Sequence, residues 1–84
     1  PVGRAEGGSR LAISPDGRLV YMSDPDRNRV AVLDTETGRV SYFGTEGRGE
    51  GQFSGPSGIA VAPDGTIYVL ERLNNRVQLF GPGE

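Results

Sequence analysis

The chain carries one pattern twice. Ser9 to Leu33 overlays Ser57 to Phe80 at an offset of 48 residues, which becomes 47 after one extra residue near Leu19. Ser9, Ala12, Pro15, Asp16, Gly17, Tyr21, Asn28, Arg29 and Val30 are identical to Ser57, Ala60, Pro63, Asp64, Gly65, Tyr68, Asn75, Arg76 and Val77. Internal periods of this length mark solenoids, propellers and arrays, whose units cannot bury their apolar faces alone. Two units are fewer than such architectures need, so the pattern predicts a chain that works by joining further units.

Between and within the two copies, 14 Gly and 6 Pro separate short apolar runs in a chain of 84 residues. Gly and Pro placed between β-branched runs predict many strands joined by tight turns rather than disorder. Leu11 to Ile13 is the first run, closed by Ser14, Pro15, Asp16 and Gly17. Proline presets φ at the first turn position, and Gly accepts the positive φ that closes the hairpin. Returning strands follow at Arg18 to Ser23, Arg29 to Leu33 and Val40 to Phe43. Together they predict a four-stranded antiparallel meander over residues 9–44. Residues 45–56 read as a flexible Gly-rich connection. Residues 57–84 repeat the first three strands at Gly58 to Ala62, Thr66 to Leu70 and Arg76 to Phe80, around the turn Pro63, Asp64, Gly65. The second copy shows no fourth strand, and an unpaired outer strand is a pairing site. The expectation is that residues 1–8 supply it, Val2 to Ala5 of another copy lying beside Arg76 to Phe80.

The charges exclude several function classes. With 9 Lys+Arg against 11 Asp+Glu, and those charges interspersed, no basic face for nucleic acid is expected. No apolar run has the length of a membrane span, and no signal peptide opens the sequence, so no membrane partner is expected. The absence of His and Cys removes the usual general base, zinc ligands and thiol nucleophile. No enzymatic activity, metal or cofactor is expected.

Gly55 to Val61, Asp64, Gly65, Ile67 to Val69 and Asn74 to Val77 closely resemble the NHL repeat, and Gly51 to Ser54 resemble its lead-in. The first copy departs from the pattern, with Arg10 in the place of Gly58 and Arg27 in the place of Asn74. The resemblance implies β-propeller blades, six to a ring. Propellers close with several four-stranded blades around a channel. Two blades cannot close one, so the expected architecture is all-β, with two blades per chain and a six-bladed homotrimer. A homotetramer with eight blades is the second choice. On this reading the chain is a structural, self-assembling and designed unit. The alternative is a fragment of a natural NHL-type propeller that binds a protein or ligand through Asp24 to Arg27, Gly44 to Gly55 and Glu71 to Asn74. Lyases related to NHL proteins depend on metal ligands that this sequence lacks.

The remaining candidates have mostly structural explanations. Asn28 and Asn75 are expected to turn the chain into a third strand, while Arg29 and Arg76 tie neighbouring loops through carbonyls. Tyr21 and Tyr68 are expected between blades. Asp16 with Gly17, and Asp64 with Gly65, are assigned to their turns and expected far apart. Asp24, Asp26 and Glu71 read as solvated loop carboxylates rather than a calcium site, which needs six to eight converging oxygens. Arg10 is the one candidate ligand-binding residue. At the mouth of a three-fold channel, three copies could hold a sulfate, phosphate or carboxylate; the competing expectation is an ion pair with Glu6, Glu50 or Glu71.

Overall fold

The computed structural model describes residues 10–81. Strands β1 (Leu11–Ile13), β2 (Leu19–Asp24), β3 (Arg29–Asp34) and β4 (Val40–Phe43) form one antiparallel sheet in sequence order. Strands β5 (Thr45–Glu46) and β6 (Gln52–Phe53) form a short parallel pair, and β7 (Pro56–Val61), β8 (Ile67–Glu71) and β9 (Arg76–Phe80) a second antiparallel sheet. The described residues are thus all-β, with two antiparallel sheets joined through a short parallel pair. The segments 1–8 and Val2 to Ala5, read above as an exchanged strand, lie outside the described residues.

The alternation of side chains along each strand decides how the sheets meet. On the first sheet, Ala12 pairs with Tyr21, Tyr21 with Val32, and Val30 with both Ser23 and Phe43, so these residues share a face. On the second, Val61 pairs with Ile67 and Ile59 with Val69, which share the opposite kind of face. The two faces pack together into a core of Tyr21, Val30, Phe53, Ile59, Ile67 and Val69, all buried. Strand β7 is the point of contact, packing on β1 and β2.

The connection between the sheets is more structured than its glycine content suggests. Phe53 is fully buried and its ring centroid lies 6.1 Å from Phe43 and 5.8 Å from Phe80. Gly47 N donates to Phe53 O at 3.0 Å, and Gln52 N to Gly49 O at 3.1 Å. A Gly-rich stretch folds this way when its positive-φ residues let the backbone wrap around a side chain. Gly44 (φ 100°) does so: a Cβ there would collide with the ring of Phe53. The expected flexible connection is therefore corrected to a packed loop.

Candidate functional site

The strand order places two kinds of loop at opposite ends of the sheets. The β1–β2, β3–β4 and β7–β8 turns form the turn end. The β2–β3 and β8–β9 turns and the inter-sheet loop form the connection end.

At the connection end, Asn75 (φ 50°) and Asn28 (φ 52°) adopt the left-handed conformation that leads into β9 and β3. Asparagine tolerates this region better than other non-glycine residues. The Asn28 side chain also reaches the inter-sheet loop, where its Oδ1 accepts Gly55 N at 2.9 Å. Arg76 points into the inter-sheet loop. Its guanidinium donates to Arg48 O (2.6 Å), Gly49 O (2.9 Å) and Gln52 O (2.9 Å), and to the Glu71 carboxylate. Arg29, the equivalent residue in the first sheet, donates to Asp24 Oδ2 at 3.2 Å and lies 3.8 Å from the centroid of the Tyr42 ring.

Glu71 departs from its expected solvated position. It is fully buried. Besides Arg76, it accepts Ser54 N (3.1 Å), Asn74 Nδ2 (2.8 Å) and Gln78 Nε2 (2.8 Å). Burial opposes its charge, but the donors from Arg76, Gln78, Asn74 and Ser54 prevail and hold its carboxyl below the ordinary range. Sequence reasoning missed Gln78 altogether. The available signal was its position two residues after Arg76, which puts both on one face of β9. Asp24, the counterpart of Glu71, pairs with Arg29 and with Arg27 at 3.6 Å. Asp26 is exposed in the β2–β3 turn.

At the turn end, Gly17 (φ 78°) and Gly65 (φ 92°) close the two hairpins. Asp16 Oδ1 accepts Ser14 Oγ at 2.6 Å and Arg18 N at 3.0 Å. The hydroxyl of Ser14 and the amide of Arg18 hold the Asp16 carboxyl below its ordinary value. Asp64 Oδ1 accepts Thr66 N at 2.9 Å, which has the same effect. The first hairpin contains one residue more, and this accounts for the change of offset in the repeat. Both aspartates, which belong to separate hairpins, line one open cavity of about 590 Å³, together with Tyr21.

Arg10 is exposed ahead of β1, and its carbonyl accepts Ser23 N at 3.0 Å. Of its expected partners, Glu71 is engaged by Arg76. Among the described residues, no group of three or more His, Cys, Asp or Glu side chains is arranged to hold a metal ion.

Residues 53–80 match the NHL repeat, the same span that contains Phe53, Glu71, Arg76 and Gln78. The chain is also similar to curated proteins. It is 49% identical over 43 residues to the E3 ubiquitin-protein ligase TRIM71 of Rattus norvegicus, a stretch that covers 51% of this chain and 5% of that protein. It is 46% identical over 43 residues to protein lin-41 of Caenorhabditis elegans, covering 51% and 4%. Protein wech of Drosophila melanogaster is 50% identical over 40 residues, covering 48% and 5%. The matched part is thus about one-twentieth of these relatives' length.

Proposed function

We propose that the protein is a two-blade unit of an NHL-type β-propeller that acts by binding, through its connection end, rather than by chemistry. The observation that carries this reading is the contrast between equivalent residues. Tyr21 is 3% exposed and its repeat partner Tyr68 38%; Val30 is fully buried and its partner Val77 49% exposed. Blade 1 buries this face against blade 2, while blade 2 presents the same face bare. Conversely, Leu11 and Ile13 are exposed on blade 1 where their equivalents in blade 2 belong to the core or pack against it. The two open faces thus match the two halves of the internal interface, as blades of a longer series do. The resemblance to segments of natural NHL-containing relatives favours a unit of a natural propeller over a designed one.

The connection end is suited to a protein partner. Leu73 is 78% exposed, yet its amide is fixed to Ser54 O at 3.3 Å and that of Arg72 to Gly55 O at 3.0 Å. An anchored loop presenting an apolar side chain loses little entropy on docking. Leu73→Asp should leave the circular dichroism spectrum and thermal midpoint unchanged and weaken partner binding by tenfold or so. Full retention of affinity would place the binding surface elsewhere.

A second reading follows from the same complementary faces. A head-to-tail interface whose rotation closes generates a ring, and three copies would supply six blades. Light scattering during size exclusion tests it: a single species near three times the 8.9 kDa chain mass is expected, and a monomer overturns the ring of copies. Three Arg10 side chains would then stand around the axis and bind an anion. Arg10→Ala should abolish stabilisation by sulfate, and undiminished stabilisation would reject the site.

A further inference from the structure

We propose that the cavity between the two turn-end hairpins binds an organic cation, an apolar stem that carries a primary ammonium or guanidinium group at one or both ends. Its walls come from both blades of one chain, with Pro15 and Leu19 on one and Pro63 on the other. The site therefore depends neither on ring closure nor on the connection-end reading above.

Asp16 and Asp64 supply the charge. Each uses Oδ1 to hold its own turn. Among the described residues, no hydrogen bond reaches Asp16 Oδ2, which leaves that oxygen for a ligand, while the Thr66 hydroxyl also acts on the Asp64 carboxyl. The cavity also contains Arg18 and Asp34, but these two neutralise each other. Arg18 Nε donates to both Asp34 oxygens at 3.2 Å, and a second guanidinium nitrogen lies 2.9 Å from Oδ2. Arg18 is only the last of the influences on the Asp16 carboxyl, and no cation is among those on Asp64, so both keep negative charge on the wall.

Tyr21 provides an independent pointer to a ligand. The residue is 3% exposed and lines the same cavity. Its hydroxyl makes no hydrogen bond with any described residue, and it is not sealed in the interior as Ser57 Oγ is. A buried tyrosine ordinarily finds a partner for its hydroxyl. Here the group is left to the cavity. Burial, and secondarily the charge of Asp16, push its ionisation up, so it remains a neutral phenol able to accept a hydrogen bond from a cation. Carboxylates on separate hairpins with prolines and a leucine nearby suit a cationic head on an aliphatic chain rather than a compact metal ion.

Agmatine and n-butylammonium are suitable probes, with 1-butanol as the neutral control. Each would be titrated into the full chain while backbone amide resonances are followed. Agmatine should give saturable shifts centred on Gly17, Arg18 and Gly65, and 1-butanol should give none. Asp16→Asn and Asp64→Asn keep the Oδ1 acceptor of each turn, and each should weaken agmatine about tenfold. Tyr21→Phe should weaken it severalfold, with thermal melts verifying that the variants fold. Shifts that do not saturate at millimolar agmatine, or an affinity in both Asn variants equal to that of the parent protein, would overturn the proposal.

Discussion

Glu71 shows how much one buried charge can determine. Its carboxylate satisfies donors from β9, from the β8–β9 turn and from the inter-sheet loop, so it ties the β8–β9 hairpin to a loop earlier in the chain. Removing one member of a buried, hydrogen-bonded pair leaves the others without compensation. Glu71→Ala should therefore cost about 3–5 kcal/mol in urea unfolding, and a change below 1 kcal/mol or so would show that water replaces the carboxylate. The sign of its pH dependence follows. A carboxyl whose folded pKa is lowered stabilises above its unfolded value, and this stabilisation is lost as pH falls through the folded value. Glu71, Asp16, Asp34 and Asp64 all lie on that side. The thermal midpoint should thus be flat from neutral pH to about 5 and fall below about 4, with a shallower fall in Glu71→Gln. Glycines separate in the same manner. Gly44→Ala must displace the buried Phe53 ring, whereas a Cβ at Gly17 meets nothing within 4 Å. Gly17→Ala should cost only the left-handed backbone, about 1–2 kcal/mol, and Gly44→Ala more than that by the same unfolding measurement.

At the scale of elements, the strands were legible because each follows a rule of period two and is bounded by Pro, Asp and Gly. The positions of β1 to β4 and β7 to β9 fall within a residue or two of those read from the sequence. The inter-sheet loop was not legible. Its five glycines, from Gly44 to Gly55, dominate the local composition, while much of the loop's order comes from β9, more than twenty positions away. Arg76 and Gln78 bind its carbonyls, Gln78 Oε1 accepts Gly51 N at 3.1 Å, and Phe43 and Phe80 pack around Phe53. The same limitation applied to the candidate cavity, since no spacing within the chain places Asp16 and Asp64 on one cavity wall; only sheet packing does. Phe53 is the element's anchor. Phe53→Ala should destabilise by about 3–5 kcal/mol and raise hydrogen exchange at Gly47 and Gln52 before that of β2 or β8. Uniform exchange across the protein would show instead that the loop and sheets unfold as one unit.

The whole molecule is governed by a mismatch between its repeats and their surroundings. Among the described residues, one face of each sheet packs against the other sheet, and the opposite face of each carries exposed apolar side chains. Leu70, Val77 and Leu79 lie exposed on blade 2, and Val40 and Tyr42 on blade 1. Burying a single such side chain contributes about 1.5–3 kcal/mol, so covering these faces would add several times the effect of one substitution. The repeat itself, visible in the sequence, supplies a control for this idea. Val30 and Val77 occupy the same place in successive blades, and a charge at Val30 enters the core whatever the assembly. Val30→Asp should therefore unfold the isolated chain, while Val77→Asp should change its unfolding free energy by no more than about 0.5 kcal/mol. When further blades are present, in copies or in a longer polypeptide, Val77→Asp should become nearly as damaging as Val30→Asp. A Val77→Asp variant that is neutral in both settings would mean that no blade ever covers this face, and the propeller reading would lose its main physical support.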